Sequence, residues 1–106
     1  MELRETRKTV ELRNGHKTVG TSAVQLTPQS FKAEKGILIR SPGADDPTPN
    51  TAVVWVAQTP NVTADSTGSG GYPLAPGESV SLPVNDPSKL YVISTAADQT
   101  IAWMGI

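Results

Sequence analysis

The chain has 106 residues, with nine Lys or Arg against ten Asp or Glu, no cysteine and a formal net charge of −1. That length supports one domain, and the near-neutral balance argues against a nucleic-acid binder, which needs surplus Lys and Arg to neutralise phosphates. The lack of cysteine excludes disulfides, thiolate metal sites and cysteine nucleophiles. No stretch approaches the roughly 20 apolar residues of a membrane span, and MELRETRKTVEL has no apolar core of a signal peptide, so synthesis in a cytoplasm is the expectation. The sequon at Asn61-Val62-Thr63 then reads as a chance match.

Residues 1–19 read as an N-terminal arm with a candidate hairpin, and residues 20–106 as a single β-sandwich domain. Lys8 to Leu12 alternates as a strand, Asn14-Gly15 is the strongest short hairpin signal because both residues accept positive φ, and His16 to Val19 is the return strand. Thr21 to Thr27 alternates Val24 and Leu26 and ends at Pro28. Phe31 to Glu34 is a strand start or a turn. Gly36 to Ser41 holds the apolar run Ile37-Leu38-Ile39, which suits a strand buried on both faces. Pro42 to Asn50, with three prolines, a glycine and two aspartates, is a loop. Thr51 to Gln58 is the best strand, rich in β-branched and aromatic residues, with Val54 and Val56 on one face and Val53 and Trp55 on the other. Thr59 to Gly71 is a second long loop.

The last third alternates three times. Val80, Leu82 and Val84 alternate with Ser79, Ser81 and Pro83; Leu90, Val92 and Ser94 alternate with Tyr91, Ile93 and Thr95; Ile101 and Trp103 alternate with Ala102 and Met104. A period of two sends successive side chains to opposite faces. Breakers at Ala75-Pro76-Gly77, Asp86-Pro87-Ser88 and Ala97-Asp98 mark the turns. Seven to nine short strands without helical periodicity point to an all-β sandwich, jelly roll or small barrel.

Candidates for chemistry are few. His16, the one histidine, sits beside the expected hairpin tip, and no G-x-S-x-G elbow accompanies it. Asp45-Asp46 lacks the spacing of a calcium loop and reads as capping of a Pro-rich turn. Gly68-Ser69-Gly70-Gly71 has no following lysine or helix to cradle phosphate. No enzyme activity, catalytic residue, cofactor or metal is expected. Trp55, Trp103, Tyr72 and Tyr91 offer a platform for stacking on sugars, although Trp55 in the most apolar strand is better placed in a core or interface. Charge is unevenly spread: eight of the nine basic residues precede Ser41. They form either a solvated edge or a docking face.

Val53 to Gly105 carries a further pattern. The apolar strand Val53-Val54-Trp55-Val56-Ala57 is followed by Gly71-Tyr72-Pro73-Leu74, by Pro76-Gly77-Glu78-Ser79, by Leu90-Tyr91-Val92-Ile93-Ser94 and by a final strand near Trp103. This order resembles small β-rich accessory proteins of tailed bacteriophage virions, over about half the chain, with Thr21 to Arg40 similar more weakly. The resemblance implies a jelly-roll or related β-sandwich acting as a capsid cement (decoration) protein, to which the residues themselves add a short flexible N-terminal arm. Such a protein would be a homo-oligomer, a trimer by preference. It would bind the outer surface of the virion capsid and bridge subunits of the major capsid protein, without nucleic acid or membrane. Residues 1–19 do not align with that pattern. Leu3, Arg4, Arg7 and Lys8 in the arm, and Trp103 near the C-terminus, are the expected interface residues. The alternatives are another phage structural part, in the tail or at the head–tail junction, and a small carbohydrate-binding sandwich.

Overall fold

A computed structural model describes residues 13–106. Eight strands follow one another: Arg13–Val19 (β1), Val24–Gln25 (β2), Ile37–Arg40 (β3), Val54–Ala57 (β4), Tyr72–Leu74 (β5), Ser79–Leu82 (β6), Tyr91–Ser94 (β7) and Gln99–Gly105 (β8). They form two four-stranded sheets, β1-β8-β3-β6 and β2-β7-β4-β5, in which every neighbouring pair is antiparallel. The expected all-β sandwich is the architecture observed. The pairs β1·β8, β2·β7, β3·β6 and β4·β5 are those of one long hairpin folded back between β4 and β5, with alternate pairs falling into opposite sheets.

The main core lies between the sheets and includes Val19, Leu26, Ile37, Ile39, Val54, Val56, Leu74, Leu90, Val92, Ile101 and Trp103. Alternation decides membership. Val54 and Val56 of β4 and Val92 of β7 point inward, while their neighbours Trp55, Ile93 and Tyr91 point outward. Those outward residues are not left wet. Val62 and Ala64 of the loop between β4 and β5 pack over Trp55 and Ile93 as a second, smaller cluster. The outer face of β4 and β7 is thus covered over Trp55 and Ile93.

Trp103 sets the shape of the other sheet from within. Its ring stacks on Phe31 with centroids 6.0 Å apart and planes 28° from parallel. The Arg13 guanidinium lies over the ring of Phe31, 4.8 Å from its centroid, an attractive arrangement for a cation on a π face. Two glycines make room. A Cβ on Gly15 would sit 2.9 Å from Trp103 Nε1, and one on Gly105 would sit 2.6 Å from a Phe31 ring carbon.

This packing corrects the reading of Asn14-Gly15. The pair does not turn; both residues lie inside β1, paired in register with Met104 and Trp103. Gly15 is demanded by the indole against it rather than by a positive φ. Arg13 to Val19 accordingly belongs to the sandwich sheet, not to an arm, and the expected strand from Lys8 to Leu12 lies outside the described residues. A second correction concerns β3. Ile37 and Ile39 are fully buried, but Leu38 between them is 37% exposed, because its face of the sheet has no second layer among the described residues. Phe31 to Glu34 forms no strand. Tyr72 to Leu74 does form one despite Pro73, at a sheet edge where a missing N–H is tolerated.

Buried amides fasten the loop between β3 and β4. Asn50 Nδ2 donates to Ser41 Oγ at 2.8 Å and to the Thr100 carbonyl at 2.7 Å, while Asn50 Oδ1 accepts the Thr100 N–H at 2.7 Å. The side chain therefore serves Thr100 as a strand partner would. Gln99 Oε1 accepts the N–H groups of Thr51 and Ala52 at 2.7 and 3.0 Å. Asn50→Leu is expected to cost about 2–4 kcal/mol, because it strands a backbone donor, a backbone acceptor and a hydroxyl in a buried site. Chemical denaturation against the parent chain measures this, and a cost below about 1 kcal/mol would mean that water replaces the amide.

Candidate functional site

Of the expected interface residues, Leu3, Arg4, Arg7 and Lys8 lie outside the described residues. Trp103 is only 4% exposed, with its ring inside the sandwich. It is a core residue that reaches the surface only as part of the floor of a hollow.

That hollow lies on the outer face of β1-β8-β3-β6. Register brings together side chains that are far apart in sequence. Asn14, Met104, Leu38 and Ser81 form one row across the sheet, and His16, Ala102, Arg40 and Ser79 form the next. Ala102 is short and its neighbours are long, so a depression of about 230 Å³ opens over it, walled by Leu38, Met104, His16 and Arg40. Leu38 and Met104 are directly opposed and are two of the three large apolar side chains that stand exposed among the described residues. The third, Tyr72, is on the other sheet at 56% exposure.

One charged pair borders the hollow. Arg40 Nη1 donates to Asp46 Oδ2 at 2.9 Å, and the same oxygen accepts the Gly43 N–H at 2.7 Å. These bonds, the backbone one first, hold the Asp46 carboxyl below its ordinary range. Asp46 thus caps the Pro-rich turn, as its sequence context implies, and fixes the guanidinium at the rim. No group of three or more His, Asp or Glu among the described residues is placed to hold a metal ion. His16 stands opposite Ala102 on an exposed face. What the arrangement can do is grip: an apolar hollow suited to one inserted side chain, with a fixed donor beside it.

A second depression, between Phe31 and Asp86, is a product of loop anchoring. The Asp86 carboxylate accepts from Ser88 N and Oγ at 3.0 and 2.8 Å and from Ser30 Oγ at 2.8 Å. Those bonds, Ser88 before Ser30, lower its pKa and cap the 3-10 turn at Pro87–Lys89. Gly68 to Gly71 has a packing role too: a Cβ on Gly70 would collide with the Asp65 carbonyl and one on Gly71 with the Val56 carbonyl.

The hollow was not readable in the sequence. Its walls come from three strands whose register is a tertiary fact, and nothing in the continuous apolar run Ile37-Leu38-Ile39 marks Leu38 as its outward member. No helix among the described residues is long and apolar enough to cross a membrane. Comparison with family models, with curated proteins and with solved structures returned no match.

Proposed function

We propose that this chain is a non-enzymatic virion structural protein: a cement (decoration) protein that binds the outside of a tailed-phage capsid and staples subunits of the major capsid protein, as a homo-oligomer and by preference a trimer. The observation that carries this reading is the strand order. A folded hairpin with alternate pairs in opposite sheets, β1-β8-β3-β6 over β2-β7-β4-β5, is the order we assign to a jelly roll, an eight-stranded architecture at home in viral capsid and lectin domains. The open outer face with Leu38, Ala102 and Met104 supports the capsid use over the lectin use. Both tryptophans are buried, at 9% and 4% exposure, so neither ring is presented for stacking on a sugar.

Cement proteins act through many weak contacts multiplied by symmetry. The test is co-sedimentation of the purified chain with assembled shells and with free capsid subunits, alongside light scattering for mass. Binding to shells but not to free subunits, and a mass near three times 11.2 kDa, are the expected results. A sixfold or twelvefold mass would favour the tail axis. Quenching of tryptophan fluorescence by glycans, without shell binding, would replace the reading with a carbohydrate-binding one. Deleting Met1 to Thr6, and separately Leu38→Asp at the hollow, should each weaken shell attachment by tenfold or so, a change of about 1.4 kcal/mol. Neither should shift the melting temperature appreciably, since exposed substitutions typically stay within about 0.5 kcal/mol.

A further inference from the structure

A sandwich of two open sheets has four edges, here β1, β6, β2 and β5. Each edge strand offers unpaired N–H and C=O groups to any passing chain, and natural sheets defend against this. Three of these edges are defended. β1 carries Arg13 and Lys17 on the face it shares with Gly105 and Ile101, and inward-directed charge on an edge strand bars a further strand. β2 is two residues long. β5 has Pro73 at its centre, which cannot donate to a ladder.

β6 has no such device. Ser79-Val80-Ser81-Leu82 is uncharged, free of proline and strictly alternating. It pairs with β3 on one side, and among the described residues no other backbone group bonds to it. We propose that β6 is a self-pairing edge: β6 of a second copy adds to it antiparallel across a twofold axis, joining two four-stranded sheets into one of eight strands.

The sequence selects both the occupant and the register. An edge without charge gives no purchase to a charged foreign segment, whereas its own alternating pattern matches it in phase. Val80 and Leu82 pack toward the core, while Ser79 and Ser81 are exposed. A continuous sheet must keep inner residues opposite inner residues, so the axis passes through a residue and not between two. An axis on Val80 would set Glu78 against Leu82 of the other copy. An axis on Ser81 sets Val80 against Leu82, an apolar pair on the inner face, and leaves Ser81 facing itself on the outer face. It ends the ladder where Ser79 meets Pro83, which lies just past the strand and has no N–H to give. Three paired residues, Val80 to Leu82, bury far less than the standard interface of about 1,600 Å², so the contact is weak in dilute solution and matters where copies are held close together. It is also distinct from a threefold assembly, which uses heterologous contacts within a ring; a twofold edge would link one ring to the next.

The chain has no cysteine, so a single introduced thiol reports the contact cleanly. Ser81→Cys places two sulfurs on the axis, at the antiparallel Cα separation of about 4.5–5.5 Å, inside the roughly 4.4–6.8 Å range of disulfides. Mild oxidation of the full chain carrying Ser81→Cys should give a disulfide-linked dimer. Ser79→Cys, on the same exposed face, should not, because its two copies lie about four residues or 13 Å apart along the strands. Equal crosslinking of both variants, or of neither at high concentration, would overturn the proposal. Sedimentation equilibrium gives a second reading that does not depend on a thiol. Ser81→Lys and Ser81→Asp should each weaken self-association severalfold through like charges placed opposite one another, and an equimolar mixture of the two should restore it. Self-association unchanged by either variant, or an unmodified chain that stays monomeric throughout, would equally overturn it.

Discussion

Trp103→Ala is expected to cost about 3–5 kcal/mol, a large share of the roughly 5–15 kcal/mol that stabilises a domain of this size. The indole is 4% exposed and fills the space between Phe31 and β1. Removing it takes away buried apolar area and leaves a cavity whose walls are held by sheet ladders on both sides, so little collapse can compensate. The loss extends to Phe31, whose ring also holds Arg13. Urea denaturation should show an unchanged slope and a much lower midpoint. A cost below about 1.5 kcal/mol would mean that the sheet closes over the gap.

Gly15 gives this result a sharper form. Gly15→Ala in the parent chain puts a methyl group 2.9 Å from Trp103 Nε1 and 3.0 Å from two ring carbons, a clash that one of the two strands must yield to. In the Trp103→Ala background the obstacle is absent, and alanine also has the better strand propensity of the two. The double-mutant cycle should therefore show coupling of about 1–3 kcal/mol, opposite in sign to the single-mutant costs. Additive effects would show that Gly15 serves some need other than the indole.

The contrast between β1 and β4 shows what a sequence of this kind discloses. In β4 each residue answers only to alternation, and the two faces of Val54, Trp55 and Val56 are as the period of two assigns them. In β1, Asn-Gly follows a local rule for hairpins, yet the glycine answers to a residue almost ninety positions away. The same limit applies to Ile37-Leu38-Ile39. A run of three apolar residues is consistent with burial on both faces, and only the absence, among the described residues, of a covering layer over Leu38 decides otherwise. Strand order, and with it the hollow over Ala102, depends on which strands meet. No residue encodes that by itself. Trp103 could be picked out in advance as important, but its sequence position near the C-terminus could not distinguish a ring inside the sandwich from one at a subunit contact.

Trp55 stands on the outer face of β4, in the smaller apolar cluster with Val62 and Ile93. It lies directly opposite Ile93 and Pro73 in its sheet and beneath Val62 of the loop between β4 and β5. At 9% exposure it is core by burial, so Trp55→Ala should cost about 3–5 kcal/mol. Its Nε1, however, is buried without a hydrogen-bond partner among the described residues, and an orphaned buried donor costs about 1–3 kcal/mol. Trp55→Phe removes that donor while keeping an aromatic ring, and the gain offsets much of the lost area. The phenylalanine variant should therefore lie within about 1 kcal/mol of the parent, far above the alanine variant in stability. Equal losses for both would show that the N–H finds a partner, through water or a shift of the loop. An alanine variant of unchanged stability would be more consequential, because it would mean that Val62 does not hold the ring down. Trp55 would then be available on the face it shares with Tyr91, and the sugar-binding reading would stand level with the capsid one.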